Sequence, residues 1–325
     1  MHLTQLSLSI CLVAVAFAQV VLSQESHTLP KFKSSSKYFD QSDTNVPTSN
    51  VNYTHNFGLK NDYSWNDVLE QLDENNKLFF IIRHAAGVHQ CNTPSTDWTC
   101  YWQTLDGYGG QVWADALLTQ EGVDQCRELS QQINNTKEFP YPNRYYSSPL
   151  RRTLQTWHYV WRDLVSDAPT IKEFARETYG IQTESKRHPK SYIQANWEYV
   201  NFEDGFTEKD ELWSNSSRET SQHRKYRAAS VLTDIFEASK SDKVVSLVSH
   251  SELIGSILDV VGHRDYPVEN AKLIPVLIHK KKHKTKTYKL DDPDKTFEDI
   301  CSDKPSQITQ GPELTCSAAP FDERA

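Results

Sequence analysis

The sequence predicts an α/β fold whose central sheet is mostly parallel and covered by helices on both faces. Two short apolar runs, residues 78–82 and 243–248, have the continuous hydrophobicity of strands that are buried on both sides. Helical patterns separate these runs, and such alternation indicates β–α–β crossovers. Because sheets of this kind bind ligands at the carboxyl ends of their strands, the residues that follow each run are the first candidates for a site.

Helix signals lie between and around these strands. Ser64 and Thr119 each stand where an N-cap residue precedes an amphipathic pattern. Pro149 is suited to the first turn of a further helix, and the longest helix is expected over residues 218–239. A third apolar run, residues 273–278, contains Pro275, which predicts a position near an edge of the sheet.

The chain has 325 residues and divides into four expected segments. Residues 1–23 are apolar with no Asp, Glu, Lys or Arg, which predicts a signal peptide, with an N-terminal signal anchor as the alternative. Residues 24–62 are polar with little periodicity and are expected to form an extended arm. The main folded domain is expected over residues 63–290, followed by a tail over residues 291–325 that is tied by a disulfide.

Glycosylation sequons and cysteines both bear on the compartment. The sequons begin at Asn52, Asn134 and Asn215, and together they favour an exported chain, secreted or held at the cell surface or cell wall. No membrane span is expected once the leader is removed.

Five cysteines remain after leader removal. Cys91 with Cys100, and Cys301 with Cys316, are spaced to close short loops, so we expect these two disulfides and a free, buried Cys126. Five reduced thiols are the alternative if the chain is not exported.

The charge pattern argues against nucleic acid as the partner. The formal net charge is −8, and leader removal does not change it. One exception is the basic run over residues 279–286, HKKKHKTK, which an acidic run follows directly. This arrangement favours a solvated loop or hairpin whose charges offset each other over a patch that binds polyanions.

Three groups of residues could carry chemistry. Arg83 and His84 follow the first apolar run, where a guanidinium suits phosphate oxygens and a neutral imidazole is a nucleophile toward phosphorus. Arg151 and Arg152 open the helix after Pro149, where two cations oppose the helix dipole and need a compensating anion. His250 follows the second apolar run. Taken singly, each group has an alternative interpretation. Arg83-His84 is then a chance dipeptide, Arg151 and Arg152 are surface arginines, and His250 is a buried structural histidine.

Together these groups belong to four motifs in a fixed order, which are Arg83-His84-Ala85, Leu118-Thr119-x-x-Gly122, Ser148-Pro149-Leu150-x-Arg152-x-x-Gln155-Thr156 and Val248-Ser249-His250. The series resembles the phosphoglycerate-mutase-like branch of the histidine phosphatase superfamily over about residues 77–280. It looks closest to fungal and plant members, some of which act as phosphatases. The resemblance implies a three-layer α/β/α sandwich, a nucleophile at His84, phosphate contacts from Arg83, Arg152 and His250, and no metal or other cofactor.

The resemblance is less specific for the remaining site residues. Glu177 is the best match for the acidic proton donor, with Asp204, Glu208 and Asp210 as other candidates. Gln90 stands where the family commonly has a phosphate-binding asparagine, and Ala85 replaces the usual glycine. Ser251 stands where the branch of acid phosphatases and phytases carries an aspartate, so that branch is disfavoured.

The resemblance therefore implies a phosphoric monoester hydrolase that acts on small phosphomonoesters through a phosphohistidine. The alternatives are a phosphoglycerate mutase-type transferase and a non-catalytic surface protein that keeps the fold. For the hydrolase, His84 should be neutral and His250 a cation, so that activity falls at high pH as His250 loses its proton. For the aromatic cluster over residues 98–113, packing in the core or in a lid is favoured over contact with the substrate.

Overall fold

The computed structural model describes residues 26–91, 96–290, 294–302, 311–312 and 314–321. The predicted signal peptide, residues 1–23, lies outside the described residues. Within them, no helix is long and apolar enough to cross a membrane.

The strands of the described residues are β1 (Ser26–Ser34), β2 (Asn76–Arg83), β3 (Gly107–Tyr108), β4 (Gln111–Val112), β5 (Arg144–Ser147), β6 (Thr170–Ile171), β7 (Asn201–Phe202), β8 (Ser217–Arg218), β9 (Val244–Ser249), β10 (Leu273–Lys289) and β11 (Lys295–Thr296). The helices are α1 (Trp65–Leu69), α2 (Thr96–Cys100), α3 (Gln120–Asn135), α4 (Arg151–Trp161), α5 (Lys190–Asn196), α6 (Ser221–Ala238), α7 (Ser251–Val260) and α8 (Phe297–Ile300). Ser64 and Thr119 cap α1 and α3 as predicted, each accepting a backbone N–H.

A seven-stranded sheet forms the centre of the molecule, with strand order β1-β10-β2-β9-β5-β6-β7. The strands from β2 to β7 in this order pair in parallel, whereas β10 pairs antiparallel with both β2 and β1. The predicted α/β class with a mostly parallel sheet is confirmed.

Side chains of β2 alternate between two cores, one on each face of the sheet. Leu78, Phe80 and Ile82 pack with residues of α1, α3 and α4. Phe79 and Ile81 pack with residues of α6 and α7. Because both faces of a parallel strand are covered, the strand is apolar throughout, as the sequence indicated. The helices therefore form the outer layers of a three-layer α/β/α sandwich.

The N-terminal region is more closely integrated than an extended arm. β1 is extended, but it forms the antiparallel edge strand of the central sheet. Phe39 and Phe57, from the connection to α1, are fully buried in the core beside α1. The sequence predicted that the folded domain starts near residue 63. The polar composition of residues 24–62 hid their contribution to the sheet and core.

Two proline positions differ in detail from the predictions. Pro275 pairs with Phe80 of β2, but pairing of β10 with β1 begins only at Ile278. β10 is the second strand of the sheet, but β1 does not extend as far as Pro275. The part of β10 that contains Pro275 therefore lies at the edge of the sheet. Pro149 precedes the N-cap Leu150 of α4 and does not lie in the first helical turn.

The disulfides join different cysteines from those predicted. Cys91 bonds to Cys316 and Cys100 bonds to Cys301, while Cys126 is free and buried as expected. The pairing of near neighbours in sequence, Cys91 with Cys100 and Cys301 with Cys316, was wrong. The C-terminal tail returns across the segment after β2, so each tail cysteine meets a cysteine of that segment.

Candidate active site

Two neighbouring parallel strands, β2 and β9, end at the same edge of the sheet. Arg83 pairs with Ser249 in register, and the His84 backbone N–H donates to the Ser249 carbonyl oxygen at 2.9 Å. This register places His84 beside His250, with ring centroids 5.1 Å apart. The two histidines that the sequence placed at strand ends thus meet in one site.

The tautomer of His84 follows from its hydrogen bond. Nδ1 lies 2.8 Å from the Ala85 carbonyl oxygen, which can only accept, so Nδ1 carries the proton and Nε2 carries the lone pair. Burial holds the pKa of His84 well below its usual value, and the Arg152 and Arg83 cations lower this pKa further. His84 is therefore neutral and has a nucleophilic nitrogen.

The loop after His84 is held by α3 and α4. The Ala85 N–H donates to Thr156 Oγ1 at 3.0 Å, and the Ala86 carbonyl accepts from the Thr119 N–H at 2.9 Å. A Cβ at Gly122 would collide with the Ala86 carbonyl, so this glycine permits the close approach of α3. Ala85 does not have a positive φ, and the alanine is accommodated in place of the usual glycine.

Two arginines bring donors to the same cleft. Arg83 Nη1 donates to the Val268 carbonyl at 3.1 Å, and Arg152 Nη1 donates to the Glu184 carbonyl at 2.6 Å. The Nε atom of each arginine is buried without an acceptor among the described residues. An unpaired buried N–H is costly, and both arginines line the cleft and bring positive charge to it.

Asp115 supplies the anion that the N-terminus of α4 requires. Its Oδ1 accepts the Arg151 backbone N–H at 2.8 Å, and its carbonyl accepts from Arg151 Nε at 2.7 Å. The other carboxylate oxygen lies 2.8 Å from His188 Nδ1. The sequence indicated that an anion was needed here but gave no means of choosing Asp115.

His250 is fully buried and differs from its expected charge. Its Nε2 lies 2.8 Å from Ser148 Oγ, and its Nδ1 has no partner among the described residues. Burial lowers the pKa of His250 well below its usual value, and Arg152 and His84 lower it further. The direction of this pKa shift runs against the expected cationic His250, because burial disfavours the charged ring and the nearby Arg152 cation adds to that effect.

Glu177 lines the cleft, held by backbone N–H groups, with a raised pKa. Its Oε1 accepts the Thr178 N–H at 3.0 Å, and its Oε2 lies 3.4 Å from the Glu252 N–H at the start of α7. Burial raises the pKa of Glu177, and the negative charge of Glu252 raises it further, while Arg152 acts in the opposite direction. A raised pKa keeps a carboxyl group protonated for acid catalysis.

A buried ion pair fixes the segment that carries Glu177. Arg227 of α6 and Glu219 form a bidentate pair with neither side chain exposed. Arg227 also donates to the carbonyls of Phe174, Arg176 and Glu177 at 2.9, 3.0 and 3.2 Å. The position of the Glu177 backbone therefore depends on Arg227.

The other candidate acids do not line this cleft. Asp210 binds Arg176 through both carboxylate oxygens, and Glu208 accepts from the Ser191 hydroxyl at 2.5 Å. Asp204 lines a different surface pocket, beside β6 and β7.

Several cleft residues carry no mark in the sequence, among them Glu184 and His89. Glu184 is 8% exposed, its Oε2 has no partner among the described residues, and burial raises its pKa against the effect of Arg152. The ring of His89 lies 5.4 Å from that of His84, and burial lowers its pKa well below the usual value. His89 follows the predicted His84 in the sequence, and Glu184 follows the predicted Glu177, but no residue pattern marks His89 or Glu184 as a site residue.

The remaining cleft wall is polar and aromatic. The cleft has a volume of about 390 Å³, and Trp98 and Arg218 are among its lining residues. Gln90 also lines it, exposed, and its Oε1 lies 3.2 Å from Asn270 Nδ2. Trp98 packs with Trp102 and Trp113 in a small core, so the aromatic cluster is chiefly packing and meets the cleft at its edge. No group of three or more His, Cys, Asp or Glu in the described part of the chain is arranged to hold a metal ion.

The C-terminal tail is attached to two segments of the cleft wall. Both disulfides attach it to the segment that carries Trp98, and β11 pairs with β8, which carries Arg218. The tail thus braces two elements that form the cleft wall.

Comparison with known proteins agrees with this arrangement. The family model of the histidine phosphatase superfamily (branch 1) matches residues 94–289, a range that begins after the His84 segment. The chain is 49% identical over 285 residues to "Phosphomutase-like protein 3" of Candida albicans, which covers 87% of this chain and 90% of that relative. The chain belongs to the histidine phosphatase superfamily.

Two further matches show the range of similar proteins. This histidine phosphatase is 37% identical over 213 residues to a "Probable phosphoglycerate mutase" of Arthroderma benhamiae, covering 62% of this chain and 63% of that relative. It is also similar to the crystal structure of phosphoglycerate mutase from Bacillus anthracis, with 16% identity and a TM-score of 0.43, covering 64% of this chain and 90% of that chain. The predicted resemblance is confirmed.

Proposed function

We propose that this histidine phosphatase is a secreted phosphomonoesterase that hydrolyses small phosphate esters through a phosphohistidine on His84. The observation that carries the proposal is a neutral, buried His84 whose Nε2 has its lone pair beside the Arg83 and Arg152 guanidinium groups. Such a site combines a nucleophile with fixed positive charge at the place where a phosphoryl group would lie.

The first half-reaction transfers the phosphoryl group to the enzyme. His84 Nε2 attacks phosphorus, the bond between phosphorus and the ester oxygen breaks, and Glu177 protonates the departing alkoxide. In the second half-reaction water attacks the phosphohistidine, Glu177 accepts a proton from that water, and the Nε2–P bond breaks to release phosphate. Glu177 then returns to its protonated form, so protons balance over the cycle.

The arginines stabilise the transition state. Charge spreads over the equatorial oxygens of the transferring phosphoryl group, and the Arg83 and Arg152 guanidinium groups that line the cleft suit those oxygens. His250 donates a hydrogen bond from the same edge, and a bound phosphate dianion would raise its pKa toward the cationic form. Gln90 is a further amide donor at the cleft wall.

Export has its own support. The three sequon asparagines, Asn52, Asn134 and Asn215, are all exposed and open to glycosylation. Two disulfides fit an oxidising compartment.

A phosphoglycerate mutase activity is the second candidate, favoured by the name of the Arthroderma benhamiae relative and by Arg218, a further guanidinium that suits a substrate carboxylate. The purified protein should release inorganic phosphate from a panel of phosphomonoesters. Interconversion of 2- and 3-phosphoglycerate without net phosphate release would favour the mutase. Neither activity on any ester would favour a non-catalytic protein that keeps the fold.

A further inference from the structure

The basic run found in the sequence lies on a ribbon that extends beyond the main sheet. β2 pairs with β10 only as far as His279, so residues 280–289 pair with β1 alone. We call β1 together with residues 280–289 the basic ribbon. Two lysines lie on β1 and six on β10, and neither strand contains Asp or Glu.

A bulge concentrates part of this charge. Phe32 pairs with Lys280 and Pro30 pairs with Thr285, so residues 281–284 have only Lys31 opposite them. At the centre of the bulge His283 has φ of 56°, in the left-handed region that side chains other than glycine rarely adopt. The bulge therefore places four cationic or titratable residues, 281–284, opposite the cationic Lys31.

Aromatic packing on α6 anchors the ribbon, and Lys286 Nζ lies 5.1 Å from the centroid of the Tyr288 ring. Phe32 lies 5.5 Å from Phe236, and Tyr288 lies 6.3 Å from Tyr226, between ring centroids. Both Phe32 and Tyr288 are buried. The exposed lysines, which are Lys31, Lys33, Lys282, Lys284, Lys286 and Lys289, thus project from a fixed support.

No acidic partner accompanies these lysines in the described part of the chain. The ion pairs found there all lie elsewhere. In the acidic run that follows, Asp299 accepts from Thr296 and Asp294 lies near Glu219, while residues 291–293 are outside the described residues. Because like charges repel, an external polyanion would stabilise this surface.

We propose that the basic ribbon binds a linear anionic glycan. Strand residues rise about 3.3 Å each, so the exposed lysines are spread along the length of the ribbon, as contact with a chain polymer requires. The large hydrophobic side chains that are exposed lie outside the ribbon, so it offers neither an apolar anchor for a membrane nor an exposed aromatic platform for stacking bases. The proposal rests on the proposed export of the chain, because exported proteins meet glycans. It does not depend on the proposed phosphatase reaction.

The test measures binding to immobilised heparin, a sulfated glycan chain, at low and at physiological salt. The full-length protein should bind despite its net charge of −8, and binding should weaken as salt rises. The variant Lys282→Ser/Lys284→Ser/Lys286→Ser should bind at least about tenfold more weakly, since modest ionic contacts add along a polymer.

A matched control removes the same charge elsewhere, in Lys137→Ser/Lys240→Ser/Lys243→Ser, three exposed lysines outside the ribbon. It should bind heparin like the unmodified protein. Melting temperature and hydrolysis of nitrophenyl phosphate should be unchanged in both variants, which separates this proposal from the proposed function. Absence of heparin binding, an equal loss in the control, or tighter binding to phosphatidylserine-containing vesicles or single-stranded DNA would overturn it.

Discussion

Replacing Glu177 by glutamine removes a transferable proton while keeping the shape of the side chain. The glutamine oxygen can still accept the 3.0 Å hydrogen bond from the Thr178 N–H, and only the longer 3.4 Å contacts of Oε2 with α7 are lost. The variant should therefore fold normally. Any loss of activity then reports chemistry.

The size of the effect should depend on the leaving group. General acid catalysis contributes about 10²–10⁴-fold, or about 2.7–5.4 kcal/mol of barrier, when a poor leaving group must be protonated. We expect a loss in that range of kcat/KM for alkyl phosphates, and a loss of less than about tenfold for nitrophenyl phosphate, whose phenolate departs without a proton.

Phosphate release from both esters, with the unmodified and variant enzymes, measures this contrast. Glu184→Gln is the matched control, because Glu184 is also a buried carboxyl group with a raised pKa in the same cleft. Its loss should be small and equal for the two esters. An equal loss for both esters in Glu177→Gln would refute the assignment of Glu177 as the acid.

Further predictions concern pH and stability. Because the pKa of Glu177 is raised and that of His84 is lowered, activity on alkyl phosphates should be highest in the acid range, falling at high pH as Glu177 loses its proton and at low pH as His84 gains one. In a pH–rate profile with an alkyl phosphate, the residual activity of Glu177→Gln should lack the alkaline fall; persistence of that fall would point to another group. Arg227→Met should lower the free energy of unfolding by about 3–5 kcal/mol, since it breaks a buried ion pair and leaves His223, 3.3 Å away, as the remaining partner of the Glu219 carboxylate. Urea denaturation should show that Arg227→Met/Glu219→Leu recovers most of this loss, and a loss below about 1 kcal/mol in the single variant would contradict the buried pair.

The residues at strand ends could be predicted because their placement follows from local patterns. A run that is apolar on both faces identifies β2 and β9, and parallel pairing brings the ends of such strands together. Arg83, His84 and His250 therefore meet as expected. Local patterns and parallel pairing were enough to place these residues, without knowing the path of segments that are distant in sequence.

Features set by distant segments could not be predicted. The disulfide partners Cys91 and Cys316 lie 225 residues apart in sequence, and only the path of the tail brings them together. The lowered pKa of His250 comes first from complete burial of its ring and then from the Arg152 cation, and composition reveals neither. Glu184 enters the cleft because its backbone carbonyl accepts from Arg152, a contact without a sequence pattern.

Trapping the phosphorylated enzyme tests the central claim most directly. Labelled substrate is mixed rapidly with the enzyme and quenched in base, because a phosphoramidate is stable to base and labile to acid. Peptide mapping should find one labelled phosphoryl group on His84, and His84→Ala should abolish both the label and turnover. Label on a serine, or full turnover by His84→Ala, would contradict a phosphohistidine mechanism for this chain.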